Sequence, residues 1–131
     1  MALQLAVATR NALTAQMVTD FAGGSIKLFS GTVTANCAAA DPTGALASGT
    51  LPSPALTSTS GVTAKAGTWT ITGSGAGNAA SFRVYTSGAA CVCQGTVTAT
   101  GGGGDLTMDN ISIANSQVIT ETTFAVTAGN A

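Results

Sequence analysis

The sequence contains no histidine. That absence removes Ser-His-Asp and Cys-His nucleophile arrangements, together with every histidine-ligated metal centre. Charge is scarce too: Asp, Glu, Lys and Arg make up 7% of 131 residues, against roughly 25% in an average soluble domain. The four basic residues, Arg10, Lys27, Lys65 and Arg83, are scattered along the chain. Phosphate recognition needs several cations on one face, so no nucleic-acid partner is expected. No apolar run approaches the ~20 residues that a membrane-spanning helix needs, so no membrane association is expected. The opening Met1-Ala-Leu-Gln-Leu-Ala-Val-Ala8 lacks a cationic start and is cut short by Arg10, which argues against a secretory signal.

The acids are as few: Asp20, Asp41, Asp105, Asp109 and Glu121. Glycosidase chemistry needs two carboxylates facing across a cleft, and only Asp105 and Asp109 lie near each other in sequence. Beside a glycine run they read as turn formers; with Asn110 they also offer hard oxygens, but their spacing matches no EF-hand. Gly101 to Gly104 has no Gly-Lys-Ser/Thr sequel and is not a phosphate loop. No catalytic residue, cofactor or metal site is expected, and enzyme is the least supported class.

Three cysteines, Cys37, Cys91 and Cys93, leave one over however they pair. Cys91 and Cys93 are two apart in an expected strand, so they should share a face while diverging too far to bridge easily. They read as small buried hydrophobes, with a bridge from Cys37 to Cys91 or to Cys93 left open for an oxidising setting. Cys-x-Cys with one distant cysteine makes a poor zinc ligand set.

What the chain does have is threonine, serine, alanine and glycine, within a hydrophobic fraction of 45% and only 5% aromatics. A surface this poor in charge is weakly defended against association. Contact with other protein, including a homo-oligomer, is the expectation. The length suits one domain over 1–131, divided into an N-terminal helix or arm (1–24), strands (25–127) and a polar tail (128–131).

Residues 3 to 22 read as a helix: Ala6, Leu13, Met17 and Phe21 fall on one stripe, with Leu3, Val7 and Val18 beside it. Gly23-Gly24 supplies the stop through a left-handed cap. Two roles are open, a helix packed on a sheet or an arm docking on a neighbouring subunit. Strands are expected over 25–30, 45–51, 68–72, 80–85, 90–100, 106–113 and 117–127, with 32–49 largely loop and 55–64 weakly patterned. Glycine-rich turns at fairly regular spacing make this an antiparallel β-sandwich, jelly-roll-like, with one N-terminal helix or arm. Trp69, Phe82, Val84, Val97, Ile113, Phe124 and Val126 should form its inner layer. Alternation then sends Arg83 and Tyr85 outward on one strand, as the candidate contacts with a partner. The run Gly101, Gly102, Gly103 and Gly104 between two strands is the candidate hinge, as a hairpin or a change of sheet.

Several stretches together resemble a family of small structural proteins of tailed bacteriophages and prophages. They are Ala6-Val-Ala-Thr-Arg-Asn-Ala12, Ala35-Asn-Cys-Ala-Ala-Ala-Asp41, Ala66-Gly-Thr-Trp-Thr70 and Phe82-Arg83. The others are Gln94-Gly-Thr-Val-Thr-Ala-Thr-Gly-Gly-Gly-Gly-Asp105 and Thr127-Ala-Gly-Asn-Ala131. The resemblance covers most of the chain. It implies a virion protein made in the bacterial cytoplasm, most naturally a capsid decoration or cement protein on the head surface. The implied partner is the major capsid protein, or another virion protein, and no catalytic residue is carried over. A tail or tail-fibre component and a carbohydrate- or receptor-binding sandwich are the alternatives.

Overall fold

A computed structural model describes residues 3–121 and 123–128. Its one helix among the described residues, α1 (Val7–Phe21), ends where Gly23 turns to φ +66°, and Gly24 N–H returns to the Phe21 carbonyl at 3.0 Å. That is the left-handed stop expected of the glycine pair. The buried stripe differs from the expected one. Arg10, Thr14 and Phe21 are buried and Met17 and Val18 partly so, whereas Val7 and Leu13 are exposed. Polar contacts seat the helix. Arg10 Nε donates to the Ala128 carbonyl (3.0 Å), Asn11 Oδ1 accepts from Gly61 N–H (2.8 Å), and Thr14 Oγ1 shares a hydrogen bond with Ser58 Oγ. Turning the helix would leave these polar groups buried without partners, so together they fix the rotation that hydrophobic spacing alone leaves ambiguous.

Seven strands form the main sheet: β1 (Ser25–Phe29), β2 (Ala45–Thr50), β5 (Trp69–Gly73), β7 (Ser81–Tyr85), β8 (Cys91–Ala99), β9 (Leu106–Met108) and β11 (Val118–Glu121). Their order is β11-β5-β2-β1-β7-β8-β9. A second sheet contains β3 (Leu56–Thr59), β4 (Val62–Lys65) and β12 (Ala125–Thr127), and β6 (Gly77–Asn78) pairs with β10 (Ser112–Ile113). The expected β-sandwich with an N-terminal helix is what forms, with the main sheet curled into a nearly closed barrel. The weakly patterned 55–64 is a hairpin, turned by Ser60 (φ 51°) and Gly61 (φ 77°). Its threonines and serines face either solvent or the polar side of α1, so no apolar alternation marks it.

Among the described residues every pairing is antiparallel except β8 with β9, which run parallel with Val97 opposite Leu106. The glycine run is therefore neither a hairpin nor a change of sheet. It carries the chain back so that the next strand repeats the direction of the last. Six of the seven residues expected inside are buried, and Val126 packs partly against them. At the centre Phe21, Trp69 and Phe124 stack at tilted angles, with centroids 5.3 to 6.2 Å apart, and Phe82 meets Phe124 edge-on at 6.0 Å. Such pairs add roughly 0.5–1.5 kcal/mol each beyond area burial. Of the expected tail only Ala128 lies among the described residues, as do residues 3–6 of the arm.

Candidate binding surface

Alternation along β7 turns Phe82 and Val84 into the core and Ser81, Arg83 and Tyr85 to the other face. The outward exposure expected of Arg83 and Tyr85 is not found. They are 2% and 7% exposed, because the loop 31–44 lies across this part of the sheet. All five guanidinium N–H groups of Arg83 are used. Nε donates to Gln94 Oε1, one terminal nitrogen to Asp41 Oδ1 and the Ala39 carbonyl, and the other to Thr34 Oγ1 and the Asn36 carbonyl. Tyr85 donates its hydroxyl to the same Asp41 oxygen at 2.6 Å. Lys27 Nζ lies 3.7 Å from Asp41 Oδ2 and 4.7 Å over the Tyr85 ring. Arg83 and Tyr85 are thus a clasp for the loop, with little of either side chain at the surface.

The electrostatics follow. The hydrogen bond from Tyr85 holds Asp41 below the usual carboxylate range, helped by the charges of Lys27 and Arg83. Burial, then the bond and charge of Asp41, push the Tyr85 phenol up to about 12.

A disulfide between Cys37 and Cys91 ties the loop to β8. Cys91 and Cys93 do not share a face as expected. The ladder skips Val92 at a β-bulge, pairing Val84 with Cys93 and Tyr85 with Cys91, so one sulfur turns out to the loop and the other in to the core. Burial pushes the Cys93 thiol up to about 11, leaving almost no thiolate at neutral pH.

Beyond the loop, the same sheet face is bare. Ser25 and Lys27 of β1, Ser48 and Thr50 of β2, and Thr70 and Thr72 of β5 border a shallow depression of about 390 Å³. Thr72 pairs with Ser48 on one side, and Thr70 faces Thr120 of β11 on the other. The result is a plane of hydroxyls and methyls in which Lys27 is the charged residue. Among the described residues no group of three His, Cys, Asp or Glu could hold a metal ion, and no helix is long and apolar enough to cross a membrane.

The glycine run is a fixed loop. Gly101 (φ +88°) and Gly103 (φ +79°) need a left-handed backbone, whereas a Cβ on Gly102 or Gly104 would lie 2.8 Å from Thr98. Thr98 Oγ1 accepts from Gly104 N–H at 2.9 Å. Asp105 takes bonds from Thr96 N–H (2.8 Å) and Thr96 Oγ1 (2.9 Å), which hold its carboxyl below the usual range and explain its place after the glycines.

Comparison with family models, curated proteins and solved structures finds no match for this chain.

Proposed function

We propose that this chain is a virion structural protein, a capsid cement protein that binds between major capsid protein subunits on a phage head. The observation that carries the reading is the bare Ser/Thr plane on β1, β2, β5 and β11, flat and nearly uncharged, on a scaffold clamped by the Arg83 clasp. Such a plane offers hydroxyl donors and acceptors that hydrogen bonds across a protein interface can satisfy, and it has no charge pattern that restricts it to small ligands. The motif resemblance to tailed-phage proteins supplies the setting. Many modest contacts repeated by the symmetry of a shell act through avidity and oppose outward pressure.

One observation weighs against a sugar-binding module. All six aromatic side chains, Phe21, Phe29, Trp69, Phe82, Tyr85 and Phe124, are buried, so no ring is offered for stacking.

The test is a cryo-EM reconstruction of purified virions carrying the chain. Density repeated over the head lattice, with the Ser/Thr plane against capsid protein, is the expected result. Density confined to the tail would replace the reading with a tail role, and absence from the particle would end it.

A further inference from the structure

We infer that the loop 31–44 is a redox-latched cover. While the Cys37–Cys91 bond is intact it shields Arg83 and Tyr85. Once a dithiol reduces that bond, the loop is free to swing off the sheet and add both residues to the bare Ser/Thr plane. The inference goes beyond the proposed function and does not depend on which partner that plane meets.

The covered and bare regions are one face. Cross-strand pairing sets Thr72 beside Ser48, Ser48 beside Lys27, Lys27 beside Arg83, and Arg83 beside Gln94. Thr72 and Ser48, at one end of this row, are exposed, and Arg83 lies under the loop. In the next row Thr50 stands opposite Ser25, and Ser25 opposite Tyr85. Lifting the cover therefore enlarges an existing plane. It adds an arginine and a tyrosine, both enriched at the centres of protein interfaces.

The loop is built to move as a unit. Ser30 N–H donates to the Gly44 carbonyl (2.9 Å) and Gly31 N–H to the Thr43 carbonyl (3.0 Å), while Ser81 Oγ donates to the Gly31 carbonyl (2.6 Å). Its two ends are held together as in an Ω-loop, so β1 and β2 stay paired when it swings. Within 31–44 only Pro42 is buried, so little apolar surface holds the loop down. The rest of the hold is polar. Arg83 donates to Thr34, Asn36, Ala39 and Asp41, Tyr85 donates to Asp41, and Gln94 Nε2 donates to the Thr34 carbonyl at 2.6 Å. Arg83 and Gln94 sit on the outer side of the sheet, so water replaces each loop partner and no charge is left buried. Bonds exchanged for water contribute little net, and a freed loop regains backbone entropy. The disulfide acts differently. It pins Cys37, near the middle of the loop, to β8, so neither half can lift.

Both sulfurs of the latch belong to partly exposed residues. One thiolate of the dithiol attacks a protein sulfur, the S–S bond breaks, and the departing sulfur takes up a proton. The second thiolate then displaces the first protein sulfur, leaving an oxidised dithiol and two protein thiols. Cys93 does not divert the return, because the β-bulge turns it towards the core and away from the loop. Reoxidation restores the same bond. Thiols are kept reduced in cytosol and become oxidised outside cells, so the cover responds to its compartment.

The test uses the full chain and N-acetylimidazole, which acetylates accessible tyrosine hydroxyls. Tyr85 is the only tyrosine, so a mass measurement reads it directly. The Trp69 indole N–H, bonded to the Ala55 and Ala66 carbonyls, reports the core by hydrogen exchange. The oxidised wild type is compared with wild type reduced by dithiothreitol, alkylated and desalted, and with Cys37→Ser, which needs no reductant. Tyr85 acetylation is expected to be about a hundredfold faster in both unlatched forms, the fold-change that an ordinary disulfide contribution amounts to, with Trp69 exchange unchanged. Reoxidation of reduced, unalkylated protein should return the slow rate and the Cys37–Cys91 linkage. An unchanged acetylation rate in Cys37→Ser would overturn the inference. So would a rise matched by Trp69 exchange, since reduction would then loosen the whole chain and not the loop. A bridge from Cys37 to Cys93, or no bridge in the oxidised protein, would overturn it as well.

Discussion

Asp41 is shared at once by Tyr85, Arg83 and Lys27, and its environment makes a sharp prediction because Tyr85 is the only tyrosine in the chain. An alkaline titration followed by tyrosinate absorbance should show a midpoint near 12 in the folded protein and near 10 after unfolding. The folded value is the higher one, so the stability this phenol contributes is fully present below about pH 10 and lost as pH rises towards 12. Asp41 works in the opposite direction: its folded value is depressed, so its contribution is present above about pH 4 and lost as pH falls below it. A folded-state midpoint of 10 would mean that the clasp does not form in solution. Replacing Arg83 by lysine keeps the charge but offers three donors for five acceptors in a fixed fork. The expected loss is about 3 kcal/mol, read by chemical denaturation, with early proteolysis at the loop 31–44. Alternation in the sequence does place Arg83 and Tyr85 on the face opposite Phe82 and Val84. What covers them is not legible, because Thr34, Asn36 and Asp41 lie more than 40 residues away and read only as turn formers.

At the scale of elements the glycine run shows the same division. Its sequence marks a sharp connection, but the parallel return of β9 beside β8 depends on where Thr96 and Thr98 hold Asp105 and Gly104. Two kinds of glycine follow from this. Alanine at Gly101 or Gly103 meets open space and should cost about 1–2 kcal/mol for the left-handed backbone alone. Asparagine there should recover part of that loss. Alanine at Gly102 or Gly104 collides with Thr98, and asparagine should do no better. Thermal melts of the four alanine and four asparagine variants test this directly, and a uniform response at all four sites would contradict it. The helix was legible in its existence and its glycine stop, but not in its rotation. Leu13 and Val7 outscore Arg10 and Thr14 on any hydrophobic scale, yet Arg10 and Thr14 have the partners. The hairpin β3–β4 carries no apolar alternation for the same reason, since the face it shows α1 is polar.

For the whole molecule, composition and alternation were enough to give a β-sandwich with an N-terminal helix and to select its core. Strand order was not readable, because pairings such as β1 with β7 join segments more than 50 residues apart and no local turn specifies them. The covalent link from Cys37 to Cys91 has a consequence best put in terms of force. Tension applied at the two ends of the chain passes straight through the sulfur atoms, so residues 38–90 form a closed ring that bears no load. β2 to β7 sit inside that ring and cannot be drawn out. The segments left to stretch are α1, β1 and the strands from β8 onward, and β1 and β8 are both zipped to β7, which the ring protects. A pull on the chain therefore works against a core that it cannot lengthen.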